Sequence, residues 1–167
     1  MAVDLAIRRR NPLRYRHVFP GLAGSAAPQR KALISGFDHV AIAVKSLEEA
    51  IPFYRDQLGL VFRGIEEVAD QKVRVALFEV GSSRVELLEP TADDSPISKF
   101  LAERGPGLHH IALRTDAIGQ ELESLAVQNV RLIDRQPRAG ADGMQIAFLH
   151  PKSTGGVLLE LTQPGHA

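Results

Sequence analysis

The sequence predicts an α+β fold in which two βαβββ modules form one curved mixed sheet around a candidate metal site. Two observations carry this reading. The chain repeats itself: residues 38–44 read Asp-His-Val-Ala-Ile-Ala-Val and residues 109–115 read His-His-Ile-Ala-Leu-Arg-Thr. Each half also closes alike, Val85-Glu86-Leu87-Leu88-Glu89-Pro90 against Leu159-Glu160-Leu161-Thr162-Gln163-Pro164, so that 47 residues separate His39 from Glu86 and 50 separate His110 from Glu160. Between those ends both halves run through the same order of elements, strand, helix, strand, strand, strand, as a duplicated supersecondary unit does. The resulting division is an extension over 1–34, a first module over 35–90, a linker helix over 91–107 and a second module over 108–164.

The elements follow from local chemistry. Ser46 followed three residues later by Glu49 is a capping box, so a helix begins there and runs to about Leu58, stopping at Gly59. Pro52 lies inside it and predicts a kink or a loosened hydrogen bond. Lys72 to Val80 and Arg84 to Leu88 are β-rich runs joined at Gly81-Ser82-Ser83 by a hairpin turn. Asp94-Ser95-Pro96, with Pro at the first helical position and Gly105 beyond Phe100 and Leu101, reads as the linker helix. In the second half Asp116 is the predicted N-cap of a helix reaching about Gln128, with strands near Arg131, at Met144 to Leu149 and at Val157 to Leu161.

Composition narrows the function. The 167 residues suit one domain or two half-size modules sharing a core, and 44% apolar with 24% charged residues is the balance of a globular chain. With no Cys, disulfides, thiol nucleophiles and cysteine zinc sites are excluded. No apolar run reaches the roughly 18 residues of a membrane span. The neutral net charge hides an asymmetry, because residues 1–34 hold Arg8, Arg9, Arg10, Arg14, Arg16, Arg30 and Lys31 against Asp4 alone, leaving 13 basic and 19 acidic residues beyond. An acidic body argues against nucleic acid as a partner. The basic segment reads as an extension of a cytoplasmic bacterial protein or, alternatively, as a mitochondrial transit peptide directing the chain to the matrix.

The recurrence of a His and a Glu at matching places gives the candidate chemistry. A His on the first strand and a Glu on the last strand of a curved sheet can point into one cleft, and two modules related by a pseudo-twofold would bring His39, Glu86, His110 and Glu160 together. Two imidazoles and two carboxylates make a mixed nitrogen and oxygen set for a divalent cation, with room for water or substrate. Any one of them alone would pass for a satisfied core residue or a surface acid. Four positions matched by flanking sequence in two half-chains point instead to a site. His109, next to His110, is expected to face the opposite way. His150, where a strand meets a turn, is a turn residue or a substrate contact, and His17 and His166 lie in the tails.

These residues resemble the methylmalonyl-CoA epimerase family of the vicinal-oxygen-chelate, or glyoxalase, superfamily. The likeness rests on 38–44, Phe53-Tyr54 with Leu58-Gly59, 87–90, Gly107-Leu108-His109-His110-Ile111-Ala112, Phe148-Leu149-His150-Pro151-Lys152 and 156–161, and it spans about residues 37–163. The opening His and closing Glu are common to the superfamily, whereas the 107–112 and 148–152 stretches are particular to the epimerases. The resemblance implies a glyoxalase-like fold, a divalent metal with Co2+ first and Ni2+, Zn2+ or Mn2+ as alternatives, an acyl-CoA substrate and a homodimer. It implies epimerisation at C2 of methylmalonyl-CoA by 1,1-proton transfer through a metal-stabilised enolate, with Glu160 as ligand and base. Some members carry a second glutamate where this chain has Val75, and a Gln where it has Glu86, so Glu86 and Glu160 are taken as the pair of bases. Lys99, Lys152, Ser153 and His150 are the candidates for substrate contact, although exposed lysines are ordinarily only solvated. A glyoxalase I would use the same four ligands and is the first alternative, an extradiol-type dioxygenase would need only three, and a metal-free small-molecule binder would need none.

Overall fold

The computed structural model describes residues 33–165, so the basic segment lies almost wholly outside the described residues. β1 (Ile34–Ala43) leads into α1 (Leu47–Pro52), whose N-cap Ser46 accepts a hydrogen bond from the Glu49 amide at 3.2 Å. Pro52 has no N–H to continue the ladder, and the chain widens at once into a π-helical turn over Phe53–Gln57 that closes with Leu58 N–H donating to Phe53 O at 3.0 Å. Gly59, at φ +69°, ends it. The expected loosening at Pro52 therefore takes the form of a wider helix. β2 (Val61–Val68), β3 (Val73–Val80) and β4 (Ser83–Pro90) complete the module, and the β3–β4 hairpin turns through Gly81-Ser82, with Gly81 at φ +62°. α2 (Pro96–Arg104) is the linker helix, capped by Ser95 and stopped at Gly105 as its sequence requires.

The second module is β5 (Gly107–Thr115), α3 (Ile118–Val127), β6 (Arg138–Ala139), β7 (Met144–Leu149) and β8 (Leu159–Pro164). Two expectations are corrected here. Asp116 does not cap α3; the Ile118 amide donates instead to Gln163 Oε1 at 2.7 Å, and Thr115 Oγ1 takes the Ala117 amide. The strand expected near Arg131 is reduced to a single bridge, Leu132 to Leu149, and the second strand of the module is the two-residue β6 further on. Gln163 has its counterpart in the first module, where Glu89 Oε2 accepts from the Leu47 amide at 2.9 Å and so anchors the start of α1. Each of these residues lies three positions after its module's candidate ligand, Glu86 or Glu160, so one strand both aims a carboxylate into the cleft and pins a helix behind the sheet.

All eight strands form one sheet in the order β2-β3-β4-β1-β5-β8-β7-β6. Within each module the first and last strands are parallel neighbours, β1 with β4 and β5 with β8, while β1 and β5 join the modules in antiparallel fashion. The order reads as the same four-strand pattern from the centre outward in both directions, which is the pseudo-twofold that the repeat predicts.

Helices α1 and α3 cover one face. Leu47 and Ile51 pack with Ala76, Phe78 and Leu87, and Ile118 and Leu122 pack with Ala147, Leu149 and Leu161. The opposite, cleft face carries Ala41, Ala43, Val73, Val75, Leu77 and Leu88, capped at one end by Ile97 of α2. Phe78 is fully buried and meets the rings of Tyr54 and Phe62 at 5.6 and 5.2 Å. Replacing it by Ala should cost about 3 to 5 kcal/mol in urea unfolding, whereas Val127→Ala, at a position 83% exposed, should stay within about 0.5 kcal/mol.

Candidate metal centre

The four candidate ligands lie on four adjacent central strands, Glu86 on β4, His39 on β1, His110 on β5 and Glu160 on β8. The register sets them in two rows. Glu86 and His110 flank Ala41, and His39 and Glu160 flank Ala112. Both alanines are fully buried, and each is the small residue over which a His and a Glu lean toward the middle of the cleft.

Three of the four converge. His39 Nε2, His110 Nε2 and Glu160 Oε2 lie 3.2, 2.6 and 3.5 Å from one another, taking His39 to His110, His110 to Glu160 and His39 to Glu160. All three residues are buried. Metal bonds of ~2.1 Å place neighbouring donors ~3 Å apart, so this triangle fits a divalent cation in spacing as well as in its nitrogen and oxygen chemistry. Glu86 approaches from the other edge of the His39 ring, with Oε1 3.4 Å from Nδ1.

What aims the imidazoles is a pair of β-bulges. Between Phe37 and His39 the β1–β5 register steps by one, leaving Asp38 unpaired, and between Ala41 and Ile42 it steps again, leaving His109 unpaired on β5. Each bulge falls on the residue preceding a candidate ligand and turns that side chain to the ligand's face. His39 Nδ1–H donates to Asp38 Oδ2 at 3.0 Å. His109 Nδ1 and His110 Nδ1 lie within hydrogen-bond distance of each other at 2.8 Å, so His110 is held by its neighbour on the side away from Glu160. Strict alternation would have put His109 on the helix side; the bulge overturns that expectation, and His109 instead lines the cleft and packs edge-on against Phe100 of α2.

Electrostatics reinforce the geometry. Burial alone would raise the Asp38 pKa, but His39, Arg114 and Arg84 together hold it well below the usual carboxylate range. The Arg84 and Arg114 guanidinium groups donate to its two oxygens at 2.7 and 2.6 Å. Burial would likewise raise Glu160, yet hydrogen bonds from His110 and His39 bring it down to about 2. Glu86 goes the other way, pushed up to about 6 by burial against the opposing charges of His39 and Arg84. Burial would lower His39, and the surrounding Asp38, Glu160 and Glu86 raise it to about 9. His109, buried beside His110, is lowered to about 4 and stays neutral. The buried carboxylates around His39 thus favour positive charge beside the three converging donors, which suits a divalent cation.

Glu86, His110 and Glu160 line, together with His109, a cavity of about 420 Å³ whose walls are mainly apolar, among them Val73, Val75, Leu88, Ile97, Ile146 and Phe148. Val75 is buried in that wall. Lys99, His150, Lys152 and Ser153 do not line it. Lys99 is exposed on α2 beside Glu103, His150 Nδ1 accepts from the Lys152 amide, and Ser153 Oγ accepts from the Arg131 amide. Sequence reasoning missed the roles of Asp38, Arg84 and Arg114. The repeat held the signal for the first, since a polar residue precedes the ligand His in both halves.

A family model for the glyoxalase/bleomycin resistance protein/dioxygenase superfamily matches residues 38–148. The chain belongs to that superfamily. Among its relatives there, an uncharacterised Bacillus subtilis protein, YqjC, is 50% identical over 127 residues, covering 76% of this chain and 91% of its own. The mitochondrial methylmalonyl-CoA epimerase of Mus musculus is 39% identical over 127 residues, 75% of this chain and 71% of its own length. A solved methylmalonyl-CoA epimerase in complex with methylmalonyl-CoA and NH4+ superposes with a TM-score of 0.76 at 36% identity, covering 78% of this chain and 95% of that one. The glyoxalase-like architecture expected from the repeat is the one this superfamily has.

Two substitutions separate ligation from its support. Asp38→Ala should weaken divalent-metal affinity about 10- to 100-fold by freeing the His39 ring, read by competition with a chelating dye. Ala112→Val touches neither His39 nor Glu160 chemically but inserts methyl groups between them; it should lower bound metal in elemental analysis while circular dichroism keeps its native form, at a stability cost of roughly 1 to 3 kcal/mol.

Proposed function

We propose that this chain is a methylmalonyl-CoA epimerase that interconverts the two C2 epimers by 1,1-proton transfer. The observation that carries the reading is the meeting of His39, His110 and Glu160 beside Glu86 against an apolar cavity, in a chain more than a third identical to proteins named for that activity. His39, His110 and Glu160 would hold the divalent ion, with Glu86 as the fourth ligand position. When bound, the ion supplies positive charge next to the thioester oxygen as the C2 proton leaves, which is the Lewis-acid contribution. The ligand set accepts Co2+, Ni2+, Zn2+ or Mn2+, and the family likeness points to Co2+.

The chain's own residues do the rest. The C2 proton of a malonyl thioester is acidified by the carbonyls on either side of it, and inverting that carbon takes a base on each face. Glu160 and Glu86 are the two cavity carboxylates that lie against His39, contributed by pseudo-symmetric strands and approaching its ring from its two nitrogens, at Nε2 and Nδ1. Glu160 is held ionised by the two histidines, ready to accept a proton. Val75, Leu88 and Phe148 offer the carbon no proton donor, so the proton returned to the second face is assigned to a carboxyl group.

The family likeness supports a homodimer, which light scattering of the purified chain checks, and reading the basic segment as an extension of a bacterial chain supports a cytoplasmic location. Among the described residues no helix is long and apolar enough to cross a membrane.

Deuterium incorporation at C2 of methylmalonyl-CoA in heavy water, measured on metal-stripped protein and after restoring Co2+, tests the activity directly. Exchange should appear only with metal. Glu160→Gln should lose both metal and exchange, whereas Glu86→Gln should keep the metal and slow epimerisation about a hundredfold or more. Full epimerisation by a metal-loaded Glu86→Gln protein would remove Glu86 from the pair, and exchange absent alongside activity on a glutathione hemithioacetal would reassign the substrate.

A further inference from the structure

The cavity beside the metal cluster contains the carboxylates Asp70, Glu86 and Glu160, and among the described residues that line it Arg138 is the one Lys or Arg. Its side chain is held in place by two contacts. The guanidinium carbon lies 5.4 Å from the centroid of the Phe148 ring, a cation–π stack. Its Nε donates to Asp134 Oδ1 at 3.3 Å, and Asp134 is itself anchored because its Oδ2 accepts from the Phe148 amide at 2.9 Å. The backbone is pinned as well. Arg138 pairs with Ile146 across the short β6–β7 ladder, and the following Gly140 is so close to Ile146 that an added Cβ would sit 2.6 Å from its Cγ2.

This arrangement uses Nε for the protein and leaves both terminal nitrogens without a partner among the described residues, on a side chain 39% exposed at the cavity rim. A planar fork with two adjacent free donors is the geometry that takes an oxyanion in bidentate fashion. Phe148 connects Arg138 to the metal donors, since the ring that carries Arg138 also meets His110 edge-on at 5.1 Å. An anionic ligand that reached the metal donors would therefore pass within range of a preoriented guanidinium in an otherwise acidic and apolar cavity.

Building on the epimerase reading, we propose that Arg138 binds an oxyanion of the acyl-CoA substrate, either the malonyl carboxylate or a phosphate of the CoA arm, and that Asp134 and Phe148 position it to do so. Arg138 then discriminates substrates by charge, a role separate from proton transfer at C2.

Equilibrium binding tests this without turnover. Malonyl-CoA, propionyl-CoA and malonyl-pantetheine, which lacks the nucleotide phosphates, are titrated calorimetrically into Co2+-loaded protein. Wild type is compared with Arg138→Gln and Arg138→Lys after equal thermal midpoints and equal metal content have been verified. Loss of a charge-assisted fork should raise the Kd of malonyl-CoA roughly ten- to a hundredfold in Arg138→Gln, with Arg138→Lys recovering part of it. Carboxylate recognition gives that loss for malonyl-CoA and malonyl-pantetheine and spares propionyl-CoA; phosphate recognition gives it for both CoA esters and spares the pantetheine. Wild-type affinity for all three ligands in Arg138→Gln overturns the role of Arg138 alone. A wild-type protein that binds none of the three overturns it together with the epimerase reading.

Discussion

The antiparallel pairing of β1 with β5 is the constraint on which the rest of this molecule depends. It is the seam between two modules that could each pair internally without forming a site. Its register sets Ala41 against His110 and His39 against Ala112, and the parallel partners β4 and β8 then place Glu86 and Glu160 at the outer ends of the same two rows. A slip of one residue along this seam would turn one module's ligands to the helix-covered face, because side chains alternate with a period of two. The two bulges, at Asp38 and His109, lie at either end of the stretch that carries the ligands and mark this register as the one selected.

The bulges also resolve a chemical difficulty. A histidine that is to present Nε2 to a cation needs a partner for its Nδ1–H, and buried in an apolar sheet it has none within ordinary strand geometry. Bringing the preceding residue onto the same face supplies one in each module, a carboxylate for His39 and a neutral imidazole for His110. The modules thus share a device while differing in charge. Asp38 in turn requires Arg84 and Arg114, so the site extends outward through ion pairs. The asymmetry carries through to the two glutamates, one held down by histidines and the other raised by burial.

On the other face the repeat performs a second task. Glu89 and Gln163 reach the first amides of α1 and α3, so the strands that deliver the ligands also locate the helices that bury the back of the sheet. This coupling explains why Asp116, a good cap by sequence, is not used: the α3 amide already has a partner on β8. It also explains why the cleft face can remain concave and partly open while the back of the sheet is packed solid by Phe78, Leu87, Leu122 and Leu161.

Much of this was written in the order of residues. The duplication, the linker helix between Ser95 and Gly105, the disturbance at Pro52 and the candidate set His39, Glu86, His110 and Glu160 were legible because each rests on local periodicity, on capping or turn chemistry, or on self-comparison of the chain. The sequence by itself determined which side chains could form a metal centre and that two modules must supply them. Only the tertiary structure decided which way His109 points, that Asp38 and Arg138 belong to the cleft, that Lys99, His150, Lys152 and Ser153 lie outside the cavity, and that three donors close into a triangle while Glu86 stands at the other edge of His39. The reason is physical: bulges and strand register are settled by pairing between segments some seventy residues apart, where a one-residue step costs little locally yet redirects every side chain that follows.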